Sequence, residues 1–406
     1  MPAPMHLGRS TKTAKGLKVG IAAMMSLSAI LLLGCAAMRP EPVLCGVEYF
    51  LPTSQAAIGQ PAASMAEATM TDVFRGAMDG TRGPLEIEVL ALSAGGQFGS
   101  FGAGFLRGWG ENTDAPRPDF DLVTGVSAGA MIAPVVFAGT AFDDALDGYR
   151  GLSESEVFRS RSWLSLLSAP SFTSIAPLER FLSDRLSDDL INEIGRRHDS
   201  GQGLLILATD LDDTDGRIFD LGAMAASNRG TPEKRDCMTE AMLASAAIPG
   251  LFPPRHIDGT LFADGGLRDQ IFLRTIEGVR KNVSRSTGRD VRVSATIIVN
   301  GALRPPAEPV DEGLLAYARR GALILADEVL RDSIGEVVAF ADDRPNWTLR
   351  GVFADTDLSA CGGAAESGTF DACVTRRLFD DGRAKGRASS PPWLSSDELL
   401  ELANRL

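Results

Sequence analysis

The chain has 406 residues, 44% hydrophobic, 23% charged and 6% aromatic, a balance that excludes disordered and fibrous classes and leaves enough apolar residues for a sizeable core. Lys and Arg number 40 against 53 Asp and Glu, a formal charge of −13, which argues against nucleic acid as a partner.

In chain order, Arg9, Lys12, Lys15 and Lys18 precede an uncharged, mostly apolar run from Val19 to Leu33. Leu32, Leu33, Gly34 and Cys35 then fill the small-residue cleavage position of a secretory signal. The run is short for a membrane span, which needs about 20 residues. Residues 1–34 resemble a bacterial lipoprotein signal. The resemblance implies that Cys35 becomes the first residue of the mature chain and carries lipid, with acyl chains such as palmitate. Cleavage removes four basic residues and no acidic one, so the lipid rather than net charge would hold the protein at a membrane. Ala36 and Ala37 favour the outer membrane by analogy, and the expected location is the cell envelope, facing the periplasm or the surface.

Residues 35–84 are Pro-, Ala- and Ser-rich without sustained periodicity and read as a flexible tether. Ile87 to Leu92 is a short apolar run opening onto glycines, the pattern of a buried strand. Further strands are expected at Phe120 to Thr124, Gly203 to Thr209, Arg217 to Leu221, Leu261 to Ala263 and Arg292 to Asn300. Helix-like stretches are Phe101 to Trp109, Ala128 to Phe137, Pro177 to Leu186, Cys237 to Ala247 and Gly313 to Phe340. The alternation predicts an α/β fold with a mainly parallel central sheet covered on both faces.

With Cys35 lipidated, Cys45, Cys237, Cys361 and Cys373 remain, and an exported compartment permits disulfides. Cys361 and Cys373 flank a Gly/Ala-rich loop and are expected to pair. Cys45 and Cys237 are what is left over, and the sequence does not decide their state. There is no C-x-x-C, and the mature chain holds only His198 and His256, so no metal site is expected.

Gly125-Val126-Ser127-Ala128-Gly129 follows an expected strand and precedes an expected helix, the context of a nucleophile elbow. Glycine on each side lets the backbone turn sharply and leaves the Ser127 hydroxyl uncovered. The motif alone is common by chance in a chain with 43 Gly. Ser93-Ala94-Gly95-Gly96-Gln97-Phe98-Gly99 leaves the first strand with glycine-rich backbone that can present N–H donors, as an oxyanion hole needs. A dinucleotide loop fails at Arg107, where a small residue is required, and no phosphate-binding G-x-x-x-x-G-K-[ST] occurs. Asp264-Gly265-Gly266 follows the strand Leu261 to Ala263 and offers an unobstructed carboxylate as a direct base. The rival base is His256, with Asp210 or Asp212 as its acid.

These motifs, taken with Ala244-Ser245-Ala246-Ala247-Ile248-Pro249-Gly250-Leu251-Phe252-Pro253-Pro254, resemble the patatin-like phospholipase family from about Leu85 to Val299. Leu378-Phe379-Asp380-Asp381-Gly382 resembles a C-terminal segment of the same family. Residues 85–393 are therefore expected to form one hydrolase domain, with 394–406 as a tail. The resemblance implies a three-layer α/β/α sandwich and a Ser127–Asp264 dyad that hydrolyses lipid acyl esters through an acyl-enzyme. The N–H groups of Gly95, Gly96 and Gln97 would form the oxyanion hole, and no metal or organic cofactor is implied. The expected partners are membrane lipids as substrate and the membrane through the anchor. A general carboxylesterase or thioesterase on the same site, or an inactive binding module, are the alternatives.

The family loop begins with an acidic residue and carries a third glycine and a basic residue, where this chain has Ser93, Ala94 and Phe98. The missing charge implies a changed rate or head-group preference. Pro134 is expected to kink the helix after Ser127. Ser162-Trp163-Leu164-Ser165-Leu166-Leu167 reads as a packed helix or an interfacial patch. Asp210 to Gly216 is a poor calcium loop, since Thr214, Asp215 and Leu221 stand where other residues are needed, and Asp215-Gly216 reads as a turn between Leu204 to Thr209 and Arg217 to Leu221.

Overall fold

A computed structural model of the chain describes residues 41–46, 69, 71–73, 85–161, 171–227, 231–301, 310, 312–365 and 370–404. The signal segment, Cys35 and Ser162 to Leu167 lie outside the described residues.

The chain enters the sheet through β1 (Leu85–Leu92), then makes a single 3₁₀ turn at Gly96–Phe98 and α1 (Gly99–Gly110). Next come β2 (Leu122–Val126), α2 (Ala128–Phe137), the short α3 (Glu154–Val157) and the paired β3 (Arg159–Ser160) and β4 (Thr173–Ser174). Helices α4 (Ala176–Arg185) and α5 (Asp188–Asp199) lead to β5 (Gly203–Asp210) and β6 (Gly216–Asp220). Helices α6 (Leu221–Ala226) and α7 (Thr231–Ser245) precede the hairpin β7 (Arg255–Ile257) and β8 (Thr260–Asp264). The last third holds α8 (Thr275–Thr287), β9 (Val291–Val299), α9 (Leu314–Asp342), β10 (Trp347–Phe353), α10 (Ala372–Arg387), β11 (Leu394–Ser395) and α11 (Ser396–Asn404).

Nine strands form one sheet in the order β11-β10-β9-β1-β2-β5-β8-β7, with β6 also paired to β5. Neighbours from β10 through β5 run parallel, and β6, β7, β8 and β11 are antiparallel additions. Side-chain alternation along β1 divides the core into two layers. Leu90 and Leu92 pack with Phe101, Phe105, Ile132 and Phe379 of α1, α2 and α10. Ile87, Val89 and Ala91 pack with Ile276, Val279, Ile334, Val338 and Leu399 of α8, α9 and α11. Burial on both faces is why the strand reads as an apolar run, and the three-layer α/β/α arrangement follows.

The segment Leu378 to Gly382 lies in α10, which crosses α1 at backbone contact. A Cβ on Gly104 would fall 2.1 Å from the Phe379 carbonyl oxygen, and one on Gly382 2.3 Å from that of Phe101. Helix α2 continues through Pro134 to Phe137.

Two boundaries need correction. The residues after Trp393 are not a tail: β11 pairs with β10, and α11 buries Leu399 and Ala403, four apart on one helix face, against the sheet. The segment 35–84 is not wholly a free tether, because its described residues are pinned. Val43 bridges Ile257, Cys45 is disulfide-bonded to Cys237, and Val73 is buried in the second core layer. A second disulfide joins Cys361 to Cys373.

Candidate active site

The parallel strands all end on one edge of the sheet, and the conserved-looking geometry of α/β proteins puts ligands there. Gly125 and Gly129 make the turn after β2 possible by close approach. A Cβ on Gly125 would lie 2.8 Å from the Gly129 carbonyl carbon, and one on Gly129 2.3 Å from the Leu92 carbonyl oxygen. Between them Ser127 adopts φ 52°, ψ −116°, a region that L-residues rarely occupy. The strain is held by a buried hydrogen bond from the Ser127 backbone N–H to Ser245 Oγ at 2.9 Å.

Strand register brings the acid to the serine. β6 occupies one side of β5 from Leu205 to Thr209. On the other side β2 pairs up to Val126 with Leu207, and β8 takes over where Asp264 pairs with Ala208. The first residue after β2 and the last residue of β8 are therefore neighbours. Ser127 Oγ donates to Asp264 Oδ2 at 2.7 Å, and the Gly266 N–H donates to Asp264 Oδ1 at 2.7 Å. Thr209 Oγ1 donates to the Asp264 carbonyl at 2.9 Å and fixes the strand end. Burial raises the Asp264 carboxyl from 3.8 to about 6, against the opposing pull of its hydrogen bonds from Ser127 and Gly266. A carboxylate poised near neutrality, one oxygen held by backbone and the other on a serine hydroxyl, can accept that hydroxyl's proton.

The loop after β1 lies beside this pair, with Gly96 and Gly99 lining the same cleft as Ser127. Gly95 is required by contact, since a Cβ there would overlap the Asn300 carbonyl oxygen. As the first turn of the 3₁₀ segment, Gly95, Gly96 and Gln97 have N–H groups with no backbone acceptor among the described residues. Ser93, at the place of the family's acidic residue, is held from β9: the Asn300 backbone N–H donates to Ser93 Oγ and the Asn300 amide to the Ser93 carbonyl, at 2.8 and 2.9 Å. Gln97 Oε1 accepts the Asp371 backbone N–H at 3.3 Å. Asp371 caps α10 two residues before Cys373, so the Cys361–Cys373 bridge abuts the glycine loop.

The cleft above Ser127 holds a cavity of about 30 Å³. Met131, Leu152, Leu178, Phe181, Phe252 and Phe370 are among its apolar walls. The Tyr149 hydroxyl points away from solvent and donates to the Met131 carbonyl at 2.8 Å. Such a lining suits apolar rather than charged groups beside the serine.

His256 is not brought to Ser127. It lies on β7, whose carbonyl accepts from the Val43 N–H, while the serine hydroxyl is bonded to Asp264. Asp210 is occupied in its own turn: Oδ1 accepts from the Asp212 N–H at 2.9 Å, and Oδ2 faces the Arg217 guanidinium at 3.2 Å. Among the described residues no cluster of three or more His, Cys, Asp or Glu could hold a metal ion. Ser245 lies within the Ala244 to Pro254 motif, whereas no sequence motif marks Asn300.

Residues 90–275 match the model of the patatin-like phospholipase family. No curated protein matches the chain in sequence. Twelve solved chains match it in structure, among them VipD from Legionella pneumophila, at 14% identity and TM-score 0.33 over 73% of this chain and 67% of that one.

Proposed function

We propose, from the premise that residues 90–275 are a patatin-like phospholipase domain, that the chain is a serine-dependent lipid acyl hydrolase working through a Ser127–Asp264 dyad. The observation that carries the reading is the buried 2.7 Å hydrogen bond from Ser127 Oγ to Asp264 Oδ2 at the mouth of an apolar cleft. Ser127 Oγ attacks the ester carbonyl carbon while its proton passes to Asp264 Oδ2. The oxygen that becomes negative accepts hydrogen bonds from the N–H groups of Gly95, Gly96 and Gln97. Collapse breaks the bond to the alkoxy oxygen, which takes the proton from Asp264 and leaves as the alcohol. Water then attacks the acyl-Ser127 ester, gives its proton to Asp264, and the acid departs as Ser127 regains that proton. The N–H of Ser127 itself is engaged with Ser245, so the oxyanion donors come from the glycine loop.

Lipidation at Cys35 would hold this domain in the cell envelope against its substrate.

The test is labelling by a fluorophosphonate, which reacts with an activated serine, together with turnover of phospholipid. Ser127→Ala should lose the label, and Asp264→Asn should lose nearly all turnover while circular dichroism shows the fold intact. His256→Ala should stay active. A folded Asp264→Asn protein with wild-type turnover, or a folded inactive His256→Ala protein, overturns the dyad. Label without lipid turnover, but with turnover of soluble esters or thioesters, would move the substrate class.

A further inference from the structure

Several large apolar side chains that the described residues leave exposed lie near the edge of the sheet that carries Ser127 and Asp264. Leu211 directly follows β5 at that edge, and Leu267 follows Asp264 by three residues. Phe172 is bonded through its backbone N–H to the Gly250 carbonyl, in the loop that leads from Ser245 to β7. Because β8 runs antiparallel to β5, with Phe262 opposite Asp210, the β7–β8 hairpin projects past the end of β5. Leu44, 80% exposed, sits beside its tip, where Val43 bridges Ile257.

Helix α9 adds the largest element. Leu330 is the first of its residues described as buried and meets Gly301, just past the end of β9. The residues before Ala326, whose carbonyl accepts from Gln270 Nε2 at 2.6 Å, extend past the end of β9 on the catalytic side. Tyr317, Ile324 and Leu325 are exposed on this part, Leu325 at 68%. An apolar set of this size gathered at one end marks an interaction site.

We infer that this edge is a lipid-docking face, with the outer half of α9, the β7–β8 tip and Leu267 entering the headgroup boundary of a bilayer around the cleft mouth. The choice of lipid as partner rests on the hydrolase reading of the site. A second copy seated here would close the cleft, whereas a lipid surface would supply it. The path of the chain agrees: residues 41–46 are pinned at the hairpin tip, and Glu41 is six residues from Cys35, a reach of at most about 22 Å. An anchor at Cys35 would thus keep the hairpin tip close to the membrane. With a formal charge of −13 the protein gains nothing from an anionic surface, so docking is by apolar insertion. No helix of the described residues is long and apolar enough to span a membrane.

The experiment compares the full chain with its Tyr317→Ser/Ile324→Ser/Leu325→Ser variant on vesicles of phosphatidylethanolamine and phosphatidylglycerol and on a soluble short-chain ester. Hydrolysis of vesicle lipid should fall about tenfold or more, insensitive to added salt, with ester hydrolysis unchanged. Equal loss on both substrates, or none on either, overturns the inference. In parallel, hydrogen exchange of full-length Ser127→Ala protein should slow at 314–329 and 257–261 when vesicles are added, and not at 344–347 on the far edge. If the wild type hydrolyses nothing, the hydrolase reading fails, and the exchange pattern still decides docking. Slowing that grows with protein concentration in the absence of lipid would assign the face to a second copy and overturn the inference.

Discussion

Ser245 Oγ accepts the backbone N–H of Ser127 at 2.9 Å and donates to the Leu207 carbonyl at 2.6 Å, so one fully buried hydroxyl ties the strained serine turn to β5 across 118 residues of sequence. Ser245→Ala leaves a buried N–H and a buried carbonyl without a partner, a loss of about 1–3 kcal/mol. Urea unfolding should show the lowered midpoint. Turnover should fall through kcat with little change in KM, because the hydroxyl positions Ser127 and touches no substrate, and Ser245→Thr should restore part of both.

The raised Asp264 carboxyl sets the pH response. Accepting the serine proton requires the ionised form, so kcat/KM should rise with pH along an acid limb centred near the value of about 6. The stability effect has the opposite sense. Between 3.8 and about 6 the unfolded chain ionises this group while the fold still holds the proton. Stability therefore declines through that window and levels off above it, by about 3 kcal/mol. Asp264→Asn, unable to ionise, should gain in melting temperature relative to wild type as pH is raised through the window. A melting difference that is flat across it would refute the assignment.

The two disulfides close loops of very different size, with sequence separations of 12 for Cys361–Cys373 and 192 for Cys45–Cys237. Restriction of the unfolded chain then contributes about 3 kcal/mol for the first and about 5 kcal/mol for the second. Paired Cys→Ser variants should rank in that order in denaturant midpoint. The order should reverse in activity, since Asp371 and Phe370 beside the shorter loop touch Gln97 and the cleft. Peptide mapping of envelope-isolated protein without reductant should recover both bridges.

Lipidation at Cys35 predicts that Cys35→Ser accumulates as unprocessed precursor without acyl label, because the thiol is the acceptor. Normal processing together with metabolic fatty-acid labelling in that variant would remove the anchor and its proposed location.

The nucleophile turn was legible in sequence because it is a local device: Gly125, Ser127 and Gly129 sit within five residues, and the steric need for glycine between a strand and a helix belongs to those residues alone. Gly95, Gly96 and Asp264 were legible for the same reason, each in a short glycine-flanked run after an apolar strand. The alternation of apolar strands with helical stretches likewise determined the α/β class, because both-face burial imposes it strand by strand. What Asp264 is next to was not written in any of those runs. It follows from β2 ending opposite Leu207 and β8 ending opposite Ala208, a register that exists only once the sheet is assembled. The same holds for Ser245 under Ser127, Asn300 under Ser93, Asp371 against Gln97 and Cys45 with Cys237, all joined across more than 100 residues. The strand Trp347–Phe353 and the closing helix Ser396–Asn404 were not legible, because a partly exposed strand and a short helix carry little periodicity of their own. Local sterics and burial thus fixed the chemistry on offer, and long-range strand pairing decided which groups meet.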